Sequence, residues 1–387
     1  MYLRLQLAFF FLITFAILNE PFVFSQLSFI GREIRAYFGI ITILLLFSIK
    51  TKFKFSELIF YFSIVLIILF EIILQRSNLN NILSNYVVLL VAFSLFRILH
   101  EDKLKIHYFL EKWLIFSFIL SSGAIISFVV HQFANLDADI LNFNNIDLFN
   151  PKYGYNKSIF GFTINKSFEY LTLVRVCSFF KEPQYAGMFF AANMVITLNF
   201  TKPKKYIYFI SSLIAGLLTF SFTFYISLFL FVFYIFKSVK IKIILLIFCI
   251  AAFLLSYREI FDFVQNFSSF QDRFERMKNG INIISDSSTL NLFFGNGINT
   301  FVNVNRDSLG RSISSGFLFL FFEFGIFISF YILILANYFA RNDLKIKLIF
   351  LVYLLVFPWF KFIIMWYLII LCGSSYNISV SRKFTFK

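Results

Sequence analysis

Residues 108–130 read YFLEKWLIFSFILSSGAIISFVV, an apolar run that carries no charge after Lys112. A helix needs about 20 such residues to cross the roughly 30 Å hydrocarbon core of a bilayer. A strand of a membrane barrel would instead show about ten residues of alternating polarity. The stretch therefore predicts a membrane-spanning helix, in which every backbone amide finds its partner within the same segment.

The rest of the chain has the same character. Of its 387 residues, 60% are hydrophobic, 14% are charged and 63 are Phe, and the mean hydropathy is +0.82. A soluble domain buries only about three quarters of the surface of its unfolded chain, so it could not hide this much apolar surface. The composition predicts an all-α polytopic membrane protein, with residues 1–387 forming a single integral membrane domain.

The apolar runs predict eleven or twelve transmembrane helices. They lie at about 5–24, 36–49, 57–74, 82–99, 108–130, 184–200, 206–219, 223–236, 243–257, 315–336 and 348–372. The stretch 206–236 is too long for one ordinary span and is divided at Ser221-Phe222. The last run contains Pro358 near its centre, which predicts either one kinked helix or a tight hairpin of two short helices.

Basic residues between the runs predict the orientation of the chain. The net charge is +15, and much of the excess lies in short segments at alternate boundaries: 50–54, 103–105, 202–205, 237–242 and 341–347. Because positively charged loops stay in the cytoplasm, these segments and the N-terminus are assigned to the cytoplasmic side. Two large loops, 131–183 and 258–314, then lie outside the membrane. The same distribution argues against nucleic acid as a partner.

Both large loops carry nearly balanced charge. Cations so numerous on the outer face run against the usual bias of membrane proteins. They predict an external site for an anionic group such as phosphate, which arginine binds through two parallel hydrogen bonds. The alternative is a pair of solvated loops whose charges simply cancel.

The most informative stretch, RVCSFFKEPQYAG at 175–187, leads directly into an apolar run. Pro183 suits the first turn of a helix, where its missing N–H is not needed. Glu182 would then lie at or just before the helix N-terminus, where the helix dipole stabilises a carboxylate. This arrangement predicts a carboxylate at the outer membrane boundary, facing a lipid-linked substrate. The alternative is an acidic residue that only caps the span.

Three later segments also carry polar residues. They are RFERMKNGINI at 273–283, LFFGNGI at 292–298 and SSGFLFLFFEFGI at 314–326. In the third, Glu323 is predicted to be buried among aromatic side chains, and an ionisable residue inside a span is a functional hypothesis by default. The alternative is a carboxylate that pairs with a neighbouring helix. Lys361 is expected to meet either Glu323 or a lipid phosphate, or to extend from a hairpin tip towards water.

Taken together, these motifs resemble the bacterial O-antigen polymerase and ligase superfamily, whose architecture is GT-C-like. The similar features are an Arg before Phe-x-Glu-Pro, a later Phe-Gly-x-Gly-Ile, and a small-residue turn before a helix with Glu-x-Gly-Ile. The resemblance covers roughly residues 170–335. A ligase would be expected to carry a His before the late helix, where this chain has Ser314 and Ser315, so polymerase is favoured over ligase. The glycine expected after the early Arg is also absent, with Cys177 or Ser178 in its place.

The resemblance implies a glycosyltransferase that polymerises oligosaccharide repeat units into a surface polysaccharide of the O-antigen, lipopolysaccharide or capsule type. The units are carried on undecaprenyl diphosphate, and the reaction takes place on the outer face of the cytoplasmic membrane. It implies no metal and no other cofactor. The implied partners are the undecaprenyl-diphosphate-linked glycan, the lipid bilayer and a chain-length regulator protein.

Under this hypothesis, Glu182 accepts the proton of the acceptor hydroxyl, Arg175 stabilises charge on the departing diphosphate, and Glu323 is a reserve base. The assigned substrate-binding residues are Lys181, Tyr185, Arg273, Arg276 and Arg311.

Two other classes stay open. A lipid-linked oligosaccharide flippase would show inverted repeats with broken helices and charged residues around a central cavity. A structural subunit of an assembly complex would have inert outer loops. Asp137-Ala-Asp139 is a weak candidate for a divalent metal.

Overall fold

The computed structural model describes most of the chain. The described residues are 2–19, 32–50, 53–73, 79–100, 102–133, 156–159, 162–165, 174–180, 182–199, 205–235, 240, 243, 268–297, 300, 315–341, 344–356 and 359–384. They form thirteen α-helices and one small antiparallel sheet. The prediction of a helical chain is thereby confirmed.

The elements follow one another as antiparallel helices with a sheet after the fifth. The first half comprises α1 (Tyr2–Leu18), α2 (Arg32–Ile49), α3 (Phe55–Ile73), α4 (Leu79–Leu99), α5 (Lys103–Phe133), β1 (Asn156–Ile159), β2 (Phe162–Asn165) and β3 (Arg175–Ser178). The second half comprises α6 (Pro183–Asn199), α7 (Lys205–Leu217), α8 (Phe222–Ile235), α9 (Ser268–Ser285), α10 (Thr289–Phe294), α11 (Gly316–Ala340), α12 (Leu344–Val356), a 3₁₀ turn (Trp359–Lys361) and α13 (Ile363–Phe384).

Two helices in the described part of the chain are long and apolar enough to cross a bilayer. They span 104–133 and 316–340, within α5 and α11. Shorter apolar helices lie at 3–18, 34–49, 85–99, 205–217, 223–233 and 363–374.

Two predicted breaks in the apolar runs are confirmed. Helix α7 ends at Leu217 and α8 begins at Phe222, which matches the division placed at Ser221-Phe222. In the last run, α12 and α13 are separate helices joined through the 3₁₀ turn, so the run forms a hairpin rather than one kinked helix.

The centre of the bundle is formed by α6 and α13, which pack against each other. Almost every side chain from 186 to 196 and from 363 to 372 is buried, as expected for helices that are apolar on all sides. Trp113 of α5 joins them. Its ring lies 4.4 Å from that of Tyr367 and 5.6 Å from that of Phe189, and its indole N–H donates to Asn193 Oδ1 at 2.7 Å.

The first large loop contains more structure than the sequence analysis predicts. Helix α5 continues to Phe133, beyond the predicted end of its span at residue 130, and β1, β2 and β3 form an antiparallel sheet in the order β1-β2-β3. The sheet is held on the bundle by Phe162, whose ring lies 4.3 Å from that of Phe179. Gly123 of α5 leaves the space that the Phe162 ring fills. The sheet in this loop therefore packs against α5.

Several segments assigned to the cytoplasmic side meet at one end of the bundle. Arg4 donates to the carbonyl of Ser48 at 3.1 Å, and Arg341 donates to the carbonyl of His100 at 3.1 Å. Close by, Asp102 caps α5 by accepting from the backbone N–H groups of Leu104 and Lys105 at 3.0 and 3.2 Å.

The pKa of the Asp102 carboxyl is below its ordinary value. Burial raises this pKa, but the backbone N–H and the side-chain ammonium of Lys105 bind the ionised form and lower it by more. The ammonium lies 3.1 Å from Asp102 Oδ2. The ionised carboxylate therefore helps to hold the start of α5.

Candidate active site

A break in α11 organises the opposite end of the bundle. Gly325 has φ 68° and ψ 179°, a backbone conformation open essentially only to glycine, inside an otherwise helical segment. The break lies nine residues after the helix begins at Gly316. It removes the usual partners of several carbonyl groups in the preceding turn.

The loop of residues 295–297 supplies new partners to those carbonyls. The backbone N–H of Asn296 donates to Phe322 O at 2.8 Å, and that of Gly297 donates to Glu323 O at 3.1 Å. Asn296 Nδ2 also donates to Phe322 O at 3.2 Å. Across the break, Ser329 Oγ donates to Leu320 O at 2.9 Å. The broken helix is therefore capped by a distant segment rather than by its own next turn.

Glycines on both sides make this contact possible. A Cβ on Gly295, which has φ 84°, would lie 2.6 Å from the carbonyl carbon of Glu323 and 2.7 Å from that of Phe324. A Cβ on Gly325 would lie 2.5 Å from Phe293 O. The 292–298 and 314–326 motifs, which the sequence analysis singled out separately, thus form one unit.

Glu323 lies directly before the break and is fully buried, as the sequence predicts. Its Oε2 accepts a hydrogen bond from Lys361 Nζ at 2.6 Å. The ammonium also lies 4.9 Å from the centre of the Phe319 ring. Glu323 Oε1 is buried with no hydrogen-bond partner in the described part of the structure. Of the partners considered for Lys361, Glu323 is the one observed.

Helix α6 begins at Pro183, as predicted, with Glu182 exposed immediately before it. The carbonyl of Glu182 accepts from the N–H groups of Tyr185 and Ala186 at 3.2 and 3.4 Å. Its carboxylate accepts from Gln184 Nε2 at 2.5 Å. The carboxylate therefore belongs to an exposed residue at the helix N-terminus.

Tyr185 brings the start of α6 close to the turn that carries Lys361. Its half-buried ring meets that of Phe362 edge to face, with ring centres 5.6 Å apart, and Phe362 directly follows Lys361 in the chain. Tyr185 also donates its backbone N–H to the carbonyl of Glu182. One ring contact thus joins the segment that begins at Glu182 to the segment that carries the buried Glu323–Lys361 pair.

Arg175 has a structural role that the sequence analysis did not predict. From the edge of β3, its Nε donates to Thr219 O at 3.3 Å and its Nη2 donates to Phe220 O at 3.2 Å. These bonds hold the turn between α7 and α8, where Phe220 has φ 44°. They use two of the five guanidinium N–H donors. An assignment of Arg175 to the diphosphate stays a prediction.

Ser178 has a backbone conformation that is unusual for a serine. Its φ of 53° lies in the left-handed region that favours glycine. It is one of the two residues, with Cys177, at which the resemblance expects a glycine. Its hydroxyl donates to Leu120 O at 3.1 Å.

The other residues predicted to bind substrate or metal lie where the structure describes no side chains. Arg273 and Arg276 are on α9, whose side chains are described only from Met277 onwards. Lys181 and Arg311 lie outside the described residues, as do Asp137 and Asp139. Within the described segments, no three His, Cys, Asp or Glu side chains lie close enough to hold a metal ion.

Sequence reasoning missed the residues that link the motifs. Asn296, Ser329 and Phe362 contact the broken helix, the Glu323 turn or Tyr185, but each is unremarkable in the sequence. The one available signal was the recurrence of glycine beside Glu323 and in 295–297. It did not show that these segments touch.

Comparison with known proteins adds no relationship: no protein-family model, curated sequence or solved structure matches this chain.

Proposed function

We propose that this chain is a multi-pass protein of the bacterial cytoplasmic membrane that polymerises lipid-linked oligosaccharide repeat units on the outer face. The observation that carries the proposal is the unit formed by the broken helix α11, its 295–297 cap and the buried Glu323–Lys361 pair, adjoining the Glu182 helix start. Two of the three motifs behind the family resemblance contact each other directly, and the third is linked to them through the ring contact of Tyr185 with Phe362.

Exposed apolar surface supports the membrane placement. Leu44, Phe62 and Ile207 are 61%, 64% and 55% exposed, and many large apolar side chains on the outer helices are similar. Soluble monomers rarely expose large apolar patches. The hydrocarbon of a bilayer would cover them.

The unbroken part of α11 is shorter than the hydrocarbon core is thick. Residues 326–340 follow the break at Gly325, and at about 1.5 Å per residue they rise roughly 22 Å, against about 30 Å of hydrocarbon. With Arg341 on the cytoplasmic side, we therefore place Glu323 in the outer half of the membrane and assign Glu182 to the outer boundary, where a lipid-linked glycan would arrive.

Chain growth requires a new glycosidic bond and the loss of a diphosphate. The oxygen of an acceptor hydroxyl attacks the anomeric carbon of the donor sugar while the bond from that carbon to the lipid diphosphate breaks. We assign the hydroxyl proton to the Glu182 carboxylate, which is exposed and can accept it. The negative charge on the departing diphosphate is assigned to the outer-loop arginines, Arg175, Arg273, Arg276 and Arg311.

Glu323 and Lys361 have a different task in this scheme. Each neutralises the other in a buried site, and the pair joins the α12–α13 hairpin to the broken helix. It thereby supports Phe362, against which Tyr185 packs beside the catalytic carboxylate. We therefore expect Glu323 to act as a positioning residue, with the reserve role of base kept as a secondary prediction.

A cell-based assay tests the assignment of Glu182. Glu182→Gln keeps the size of the side chain and removes its basicity, so the surface glycan should shorten to single repeat units. Glu111→Gln, at an exposed carboxylate on α5, is the matched control and should leave long chains. Long chains in the Glu182 variant at wild-type abundance would overturn its role as base.

The broken helix also favours a second candidate, a lipid-linked oligosaccharide flippase. Discontinuous helices with buried charges are typical of transporters, and α11 has both features. The two functions differ in what a loss of function leaves on the cell. A deleted polymerase leaves single repeat units on the surface, whereas a deleted flippase leaves none.

A further inference from the structure

A second polar cavity lies at the other end of the bundle, between α3, α4 and α11. It has a volume of about 270 Å³. Its charged lining consists of Lys50, Lys54, Glu57 and Arg97, with His100 beside them. None of these residues belongs to the site described above.

The described residues that line this cavity carry more positive than negative charge. Glu57 Oε2 lies 2.7 Å from Arg97 Nε, and its Oε1 lies 3.1 Å from Lys50 Nζ, so one carboxylate binds two cations. Lys54 adds a third cation at the exposed rim. Among the lining residues that the structure describes, three cations therefore accompany one carboxylate. Such an excess favours the binding of an anion.

The side chain of Arg97 is fixed in place by its neighbours. The residue is only 2% exposed, its Nη2 donates to Lys50 O at 2.7 Å, and its guanidinium carbon lies 3.7 Å from the centre of the Phe53 ring. Lys50 Nζ donates in turn to Arg97 O at 3.3 Å. The positive charge is thus fixed by packing and hydrogen bonds rather than carried on a mobile surface chain.

The remaining walls of the cavity are apolar. The rings of Phe60 and Phe93 stack 3.6 Å apart, and Leu335 and Tyr338 of α11 complete the lining. Tyr338 is 54% exposed, so an apolar wall of the cavity reaches the surface of the bundle. A lining that is charged at one end and aromatic elsewhere suits a ligand with a phosphate at one end and hydrocarbon at the other.

We infer that this cavity binds the phosphate of one anionic phospholipid from the cytoplasmic leaflet. Basic pockets between helices on this side of a membrane are suited to anionic lipid headgroups. The inference rests on the membrane placement proposed above and is independent of glycosyl transfer. The lipid would fasten the cytoplasmic ends of α3, α4 and α11 to one another.

The test uses the full chain purified in detergent and delipidated. Phosphatidylglycerol, phosphatidylcholine and inorganic phosphate are added separately, and binding is followed by native mass spectrometry and by the midpoint of thermal unfolding. We expect one tightly retained phosphatidylglycerol, a raised midpoint and a clear preference over phosphatidylcholine. Equal retention of the two lipids would overturn the inference. An equal rise with inorganic phosphate would show an anion site without lipid specificity and would overturn it as well.

Lys54→Ala is the informative variant because this exposed side chain can be removed without opening the core. The loss of one charge-assisted hydrogen bond should weaken phosphatidylglycerol binding about tenfold. Lys205→Ala removes the same charge at the start of α7, away from the cavity, and should leave binding unchanged. Wild-type affinity in the Lys54 variant, or an equal loss in the Lys205 control, would contradict the proposed site.

Discussion

Replacing Gly295 with alanine should separate the cap from the broken helix. The added Cβ would contact the Glu323 carbonyl group and would lie 2.6 Å from its carbon. These are backbone atoms of α11, so no side-chain rotation relieves the contact. The 295–297 loop must then move away, and Phe322 and Glu323 lose the N–H donors that satisfy their carbonyls.

The loss of unfolding free energy in Gly295→Ala has two contributions. Holding a non-glycine residue at φ 84° and ψ 170° costs about 1–3 kcal/mol. The loss of two backbone hydrogen bonds adds about 1 kcal/mol each. The total of about 3–5 kcal/mol is a large part of the 5–15 kcal/mol that stabilises a typical domain. Spread over the unfolding entropy of a chain of 387 residues, it should lower the midpoint of thermal unfolding by roughly 4–6 °C.

The measurement is thermal unfolding of the detergent-purified chain, followed by tryptophan fluorescence. Gly187→Ala is the matched control, because its Cβ would lie 3.0 Å from Phe224 Cβ and 3.1 Å from Ser221 Cβ. Those atoms need to move by only a few tenths of an ångström, far less than the backbone of Glu323, so the control should lower the midpoint less. An unchanged midpoint for Gly295→Ala would refute the proposed cap. An equal fall of the midpoint in both variants would show that the cap stabilises the protein no more than an ordinary tight packing contact does.

Three further predictions concern single contacts. Lys361→Met leaves the Glu323 carboxylate buried without its cation and should cost about 3–5 kcal/mol, while combining it with Glu323→Leu should recover most of that loss in the same unfolding assay. Asp102→Ala removes the cap of α5 and should cost about 1 kcal/mol at neutral pH. Because folding lowers the pKa of Asp102, its contribution is fully present above the unfolded pKa near 4 and is lost as the pH falls through the lower folded pKa, so wild type and variant should converge in acid. Trp113→Phe leaves the buried Asn193 amide oxygen without this hydrogen-bond donor and should cost about 1–3 kcal/mol of unfolding free energy. Circular dichroism melts of Trp113→Phe, Asn193→Leu and the double mutant would measure the coupling free energy between the two side chains.

The local features of this chain were readable from its sequence. Pro183 marked the start of α6, and the Ser221-Phe222 division fell between two helices. Pro358 marked a break in the last apolar run but left open a kinked helix or a hairpin, and the structure has two separate helices there. Each depends on residues adjacent in the chain, through proline geometry or the length of an apolar run.

The non-local features were not readable. Asn296 and Phe322 are 26 positions apart, and no local pattern states that a loop will cap a helix broken so far along the chain. The partners of Arg175 are backbone carbonyls at 219 and 220, which every residue possesses. The strands at 156–178 are four residues long and lack a clear alternation of polarity, so the first loop gave no sign of its sheet.

Chain growth by the purified protein is the most direct test of the proposed function. The full chain is reconstituted in proteoliposomes with an undecaprenyl-diphosphate-linked repeat unit on the outer face, and the products are separated by size. We predict a ladder of lengthening glycans that disappears with Glu182→Gln and persists with Glu111→Gln. Movement of the lipid-linked unit across the bilayer without any ladder would contradict the proposal and identify a transporter instead.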